Sequence, residues 1–199
     1  MKTIIYNNNF MQTNTYVLEN DEVSYIIDPC VKYNDLPKRI KDKLKGVFIT
    51  HGHFDHFMEL ESYKNKSLTF YMHKKCYDKI TNSFKNCSFM GFDRIEVHLD
   101  NEKILFLKEN DFVDEIKVHE FFGHTDCSLG YEIDGYIYCG DTVFKGSIGR
   151  CDLYSASNSE MKKTIEKFKS FKIDYTLFPG HGDATMLSEE KKNNIYFGE

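Results

Sequence analysis

Three histidines and an aspartate fall within six positions, His51-Gly52-His53-Phe54-Asp55-His56, directly after the apolar run Val47–Thr50. Packing alone offers no ordinary reason for that density of imidazole and carboxylate. Three further apolar runs end in a glycine and a potential metal ligand: Val118–Phe122 before Gly123-His124-Thr125, Tyr136–Cys139 before Gly140-Asp141-Thr142, and Thr176–Phe178 before Pro179-Gly180-His181-Gly182. These four segments hold five of the eight histidines. A lone histidine is more often a core or surface residue, and a lone Gly-Asp is usually a turn, so only the joint pattern carries weight. Imidazole nitrogen and carboxylate oxygen suit zinc, iron or manganese, and no cysteine occupies a ligand position, which argues against a closed structural zinc site. A coordinated divalent ion lowers the pKa of water from 15.7 to about 7 and so supplies a nucleophile at neutral pH without serine or cysteine. No Gly-x-Ser-x-Gly elbow is present. His73, His98 and His119 read as structural or solvated.

Such ligands need rigid elements to aim them, and loops at strand ends can bring distant parts of a chain to one pocket. Apolar or alternating runs predict strands at Thr15–Leu18, Tyr25–Asp28, Val47–Thr50, Leu68–Tyr71, Ile95–His98, Ile104–Leu107, Ile116–Phe122, Leu129–Ile133, Tyr136–Cys139 and Tyr175–Phe178. Helical spacing predicts Asp35–Leu44, Phe57–Tyr63, Lys74–Ser83, Ser159–Phe171 and Ser188–Ile195. Two groups of strands with interspersed helices suggest two mixed sheets with helices outside.

The chain has 199 residues, 41% hydrophobic and 29% charged, enough for one well-buried core. No linker and no low-complexity block appear beyond the polar Asn7-Asn8-Asn9, so one continuous domain over 1–199 is expected. Twenty-six basic against 31 acidic side chains give a net charge of -5, which disfavours a nucleic-acid partner. No stretch approaches the roughly 18 apolar residues of a membrane span, and no leader follows Lys2, so neither secretion nor a membrane partner is expected. Six cysteines without a C-x-x-C pair read as reduced, mostly buried thiols in a cytoplasmic protein.

The run His51-x-His53-x-Asp55-His56, with the later His124, Asp141 and His181, resembles the metallo-β-lactamase superfamily over nearly the whole chain. Gly140-Asp141-Thr142-Val143-Phe144, then Gly146-Ser147-Ile148-Gly149-Arg150-Cys151-Asp152 and Phe178-Pro179-Gly180-His181-Gly182, is most similar to its glyoxalase II-like hydrolases. The resemblance implies an α+β fold, a four-layer αββα sandwich with two metals at one edge of the sheets. His51, His53 and His124 would hold the first metal, Asp55, His56 and His181 the second, and Asp141 would bridge them, with Asp55 and Asp141 as the catalytic carboxylates. The ions would be divalent, zinc first, with iron or manganese as alternatives. The implied reaction is attack of a bridging hydroxide on a small acyl thioester, S-lactoylglutathione or an analogue, with the thiolate leaving.

Only 18 residues follow His181, so the helical C-terminal domain that carries much glutathione recognition in full-length glyoxalase II is not expected, which leaves the thiol open. Arg150 and Lys145 are candidates to grip a substrate carboxylate, and Phe54 to wall the pocket. The alternative reading is a persulfide dioxygenase with one iron on His51, His124 and Asp141. A lactonase, a phosphodiesterase and a non-catalytic metal module stand further off.

Overall fold

The computed structural model describes residues 1–7, 9–91 and 93–198, so Asn8 of the Asn7-Asn8-Asn9 run lies outside the described residues. By its internal contacts the chain divides into two compact units, Met1–Leu107 and the remainder from Lys108 onward.

The first unit is built on six strands: β1 (Lys2–Tyr6), β2 (Thr15–Glu19), β3 (Ser24–Ile27), β4 (Leu44–Phe48), β5 (Thr69–Met72) and β6 (Lys103–Phe106), in the spatial order of the sequence. Strands β1, β2 and β3 pair antiparallel, whereas β3, β4, β5 and β6 run parallel. Helices α1 (Lys38–Lys41) and α2 (Lys74–Ile80) lie in the connections. Central strands of such a sheet are covered on both faces and read as unbroken apolar runs. That holds for Thr15–Glu19 and Ser24–Ile27, buried at every position.

Parallel pairing places the carboxyl ends of β3, β4 and β5 at one edge, since Ile27 pairs with Phe48 and Phe48 with Tyr71. Asp28 and the Thr50–His56 segment therefore leave the sheet side by side, the position where open sheets present their ligand-binding loops.

The second unit contains β7 (Phe112–Val113), β8 (Ile116–Glu120), β9 (Leu129–Ile133), β10 (Tyr136–Gly140), β11 (Val143–Phe144), β12 (Ser147–Ile148), β13 (Thr176–Pro179) and β14 (Thr185–Met186), with helices α3 (Asn158–Ser170) and α4 (Leu187–Asn193). Its main sheet has the order β14-β13-β10-β9-β8-β7, while β11 and β12 form a separate hairpin. Strand β9 is antiparallel to both neighbours and β10 is parallel to β13, so β8, β10 and β13 point the same way. Their following loops, which carry His124, Asp141 and His181, therefore leave from one edge. Between Tyr138 and Gly140 the register with β13 slips by one residue, so that Cys139 is an inserted residue in β10.

Helix α3 begins at a capping box: the Ser157 hydroxyl accepts the Glu160 amide at 3.3 Å, three residues on. Met161, Ile165 and Phe168, spaced by four and three, form its buried face against Phe121, Ile137, Cys139 and Leu177. Burying Phe168 alone stabilises the unit by about 1.5–3 kcal/mol relative to exposure. The helix can lie this close only because residue 123 is glycine: a Cβ there would stand 2.5 Å from the Met161 Cα.

The expected strand at Ile95–His98 is not one. Its backbone polar groups go elsewhere: the Val97 amide donates to the Ile80 carbonyl, the Ile95 amide to the Ser88 hydroxyl, and the Asn86 side-chain amide to the Ile95 carbonyl. Buried Val97 and Leu99 produce the alternation by packing a loop. Phe57–Tyr63 shortens to a 3-10 turn at Leu60–Tyr63, and Asp35–Leu44 to α1. Strand β1 escapes the pattern because it is an edge strand, largely exposed or half-buried along its length. All six cysteines are free thiols, buried except for half-buried Cys151. Among the described residues no helix is long and apolar enough to cross a membrane.

Candidate metal-ligand clusters

In the first unit the chain leaves β4 and turns through His51–His56, where His51, His53, Asp55 and His56 are all buried. His51 Nε2 lies 3.1 Å from His53 Nδ1, and the His51 and His56 ring centroids are 4.1 Å apart. His56 Nε2 is 3.7 Å from Asp55 Oδ2. That is long for a hydrogen bond and close to the roughly 3.4 Å that separates two ligand atoms of one tetrahedral ion at about 2.0–2.2 Å each.

The other nitrogen of His56 is committed. Nδ1 donates to Asp28 Oδ2 at 2.7 Å, and the same carboxylate accepts the Thr50 amide at 2.8 Å and the Thr50 hydroxyl at 2.7 Å. A proton fixed on Nδ1 leaves the Nε2 lone pair as the donor toward a cation, and it locks the ring plane. Asp28 is 1% exposed and adopts φ +54°, a conformation that aspartate and asparagine tolerate best among residues with a Cβ. Its backbone is held from the other side, because Thr15 donates its hydroxyl to the Asp28 carbonyl at 2.5 Å. Cys30 adds a support to the ligand turn: its thiol, pushed well up by burial and by the nearby Asp28 and Asp55 carboxylates, stays protonated and donates to the Asp55 carbonyl at 2.7 Å.

The second unit assembles a carboxylate between two imidazoles. Asp141 Oδ2 is 3.7 Å from His124 Nε2 and 3.7 Å from His181 Nε2. His124 Nδ1 donates to the Arg150 carbonyl at 2.8 Å, so its Nε2 is again the free-electron-pair nitrogen facing the carboxylate. His181 is the most open of these ligands, with its side chain 29% exposed, and the Phe144 ring lies 6.4 Å from its centroid. Each cluster, with its spacing and its fixed tautomers, suits divalent metal of the zinc, iron or manganese type.

The remaining candidates are placed as follows. Phe54 is buried, and its amide donates to the Asn86 carbonyl. Arg150 is exposed and grips Asp152 through both Nε and Nη2, at 2.6 and 2.8 Å. Lys145 is exposed, 3.6 Å from the equally exposed Asp183. His98 is exposed, and His73 caps α2 by accepting the Lys75 amide. His119 is buried in the second unit, donating to Glu132 at 2.6 Å. Asp28, Thr50 and the Arg150 carbonyl are the supports that ligand spacing did not reveal. For Asp28 a signal existed: like the four ligand segments, it closes a buried apolar run.

Residues 8–181 match the Metallo-beta-lactamase superfamily. A probable metallo-hydrolase of Streptococcus pyogenes is 28% identical, covering 96% of this chain and 88% of that protein. The hydroxyacylglutathione hydrolase GloC of Haemophilus influenzae is 27% identical, covering 94% and 93%. Among solved structures, the BLEG-1 B3 metallo-β-lactamase superposes with TM-score 0.88 at 22% identity over 100% of both chains. TTHA1623, solved in a di-iron-bound form, superposes with TM-score 0.81 at 21% identity over 97% and 99%. With two mixed sheets, helices and ligand turns at strand ends, the chain has the metallo-β-lactamase fold and belongs to the metallo-β-lactamase superfamily.

Proposed function

We propose that this metal-dependent hydrolase cleaves a small acyl thioester, with two divalent ions, zinc first, held by seven side chains. His51, His53 and His124 take one ion, Asp55, His56 and His181 the other, and Asp141 is shared. The observation that carries the reading is the Asp141 carboxylate with an imidazole Nε2 at 3.7 Å on each side, the arrangement of a bridging ligand. The likeness to a hydroxyacylglutathione hydrolase over almost its full length supports the thioester class.

When bound, such ions supply a hydroxide nucleophile at neutral pH and polarise an acyl carbonyl. The protein's own part is orientation. Asp28 and the Arg150 carbonyl hold His56 and His124 in the ligating tautomer, and Cys30 holds the Asp55 backbone. The Arg150 guanidinium, with Lys145 nearby in sequence, exchanges Asp152 for a substrate carboxylate. A single iron on His51, His124 and Asp141 is the second reading, and Asp28 weighs against it. A buried carboxylate spent on aiming His56 Nε2 has no purpose in a centre that omits His56.

The test is a panel of acyl thioesters, lactones and phosphodiesters, assayed with protein of measured metal content. Thioester hydrolysis that is abolished by chelation and by Asp141→Ala, with the circular dichroism spectrum retained and about two ions per chain, is expected. Turnover that survives Asp141→Ala, or one iron per chain with oxygen uptake, overturns the reading.

A further inference from the structure

The β11–β12 hairpin touches every proposed ligand of the second unit. It begins at Asp141, and its closing residue Gly149 donates its amide to the Thr142 carbonyl at 3.1 Å. Gly149 presses so close that a Cβ would stand 1.9 Å from the Asp141 carbonyl oxygen. Immediately beyond, the Arg150 carbonyl orients His124, and within β11 the Phe144 ring lies against His181.

A two-residue strand pair is too short to hold itself rigid. Its tip is clamped from α4 and the turn after it. Glu190, 3% exposed, accepts the Gly146 amide at 2.9 Å, the Thr185 hydroxyl at 2.7 Å and the Asn194 side-chain amide at 2.7 Å. Asn194 also donates to the Ser147 carbonyl at 3.0 Å. Every group aimed at Glu190 is a donor, so only a side chain that accepts on both oxygens satisfies them. Glutamine of the same shape would turn an N–H toward an N–H.

We infer that Glu190 is a positioning residue for the metal site, a latch that fixes the β11–β12 hairpin and through it the placement of Asp141, His124 and His181. For catalysis the inference rests on the hydrolase reading above; for metal binding it stands without it.

The experiment compares the parent full chain with Glu190→Gln, and with Glu189→Gln as the control for charge loss on the exposed side of α4. Zinc affinity is read by competition with a chromogenic chelator, thioester kinetics on the zinc-loaded protein, and amide hydrogen exchange on the metal-free protein. Glu190→Gln is expected to weaken zinc binding about tenfold, the lower end for residues that orient ligands. It should lower kcat by a similar factor with KM within about twofold, and speed amide exchange across 143–149 while the β8–β10 amides stay protected. Glu189→Gln should leave all three unchanged.

Zinc affinity within twofold of the parent, whatever happens to the melting temperature, overturns the inference. If Glu190→Gln does not fold, Asn194→Ala takes its place with the same readouts, and unchanged affinity there overturns it equally. A parent without thioesterase activity would sink the hydrolase reading and leave the zinc measurement to decide this one.

Discussion

Asp28→Asn is the sharpest perturbation of the first ligand cluster, because it changes one proton-accepting atom and almost nothing else. Asparagine matches aspartate in shape and, like it, tolerates the left-handed backbone that residue 28 adopts at φ +54°. The parent carboxylate accepts three hydrogen bonds, two from Thr50 and one from His56 Nδ1. An amide has one oxygen and one NH2 group, so it can keep the Thr50 amide on its oxygen, but its NH2 then faces the Thr50 hydroxyl and His56 Nδ1.

The hydroxyl can rotate to accept. The imidazole can accommodate the new donor only by moving its proton to Nε2, the atom that must ligate. Loss of one charge-assisted hydrogen bond costs about 1.5–3 kcal/mol of stability. Disturbing a group that orients a histidine ligand weakens metal binding by about 10–100-fold. Chelator competition reports the second quantity and thermal melting of metal-free protein the first. A variant that melts lower but binds zinc within twofold of the parent would refute tautomer control and reduce Asp28 to a fold stabiliser.

Two further outcomes follow from the second unit. Burial lowers the His119 pKa against the raising influence of Glu132 and Glu109. The Glu109 and Glu132 carboxyls are themselves net lowered, because hydrogen bonds from Lys167 and the Glu120 amide, and from His119 and Tyr175, outweigh desolvation. The unfolded chain therefore binds more protons below the ordinary histidine value of 6.5, so this stability is present above that pH and is lost as pH falls, with the carboxyls extending the loss below 4.5. His119→Gln should flatten the melting temperature of metal-free protein between about pH 5 and 7; a curve parallel to the parent's counts against this account. Gly149→Ala places a methyl into the Asp141 backbone and should cost about 1–3 kcal/mol or more together with metal affinity. Gly146→Ala, at φ +76° with open space around it, should cost about 1–2 kcal/mol of backbone strain and spare affinity. Equal affinities for the two variants would contradict the close approach.

The ligand turns were legible because chemistry and scaffold coincide there: a buried strand has no use for His-x-His-x-Asp-His at its end unless something is bound. The strands of both sheets were legible for the same reason, as continuous apolar runs in central positions. What escaped were residues whose role depends on who stands beside them. Asp28 closes a strand like the other ligand-bearing runs, yet nothing local says that its neighbour across the sheet is Thr50 and its target His56. Glu190 sits in a charged stretch, Glu189 to Lys192, that looks solvated throughout. Ile95–His98 shows the converse error, since two buried side chains in a loop imitate a strand when its amides are satisfied by Ile80 and Ser88 instead.

Cys139, the inserted residue of β10, carries a consequence out of proportion to its chemistry. Side chains on a strand alternate between the two sides of the ribbon, so one added residue reverses the parity of everything after it. Asp141 comes two positions later and inherits that reversal. The direction in which the shared carboxylate looks is thus written in the length of the strand before it: shortening β10 by one residue would leave the acid in the chain and turn it away from both of its histidines.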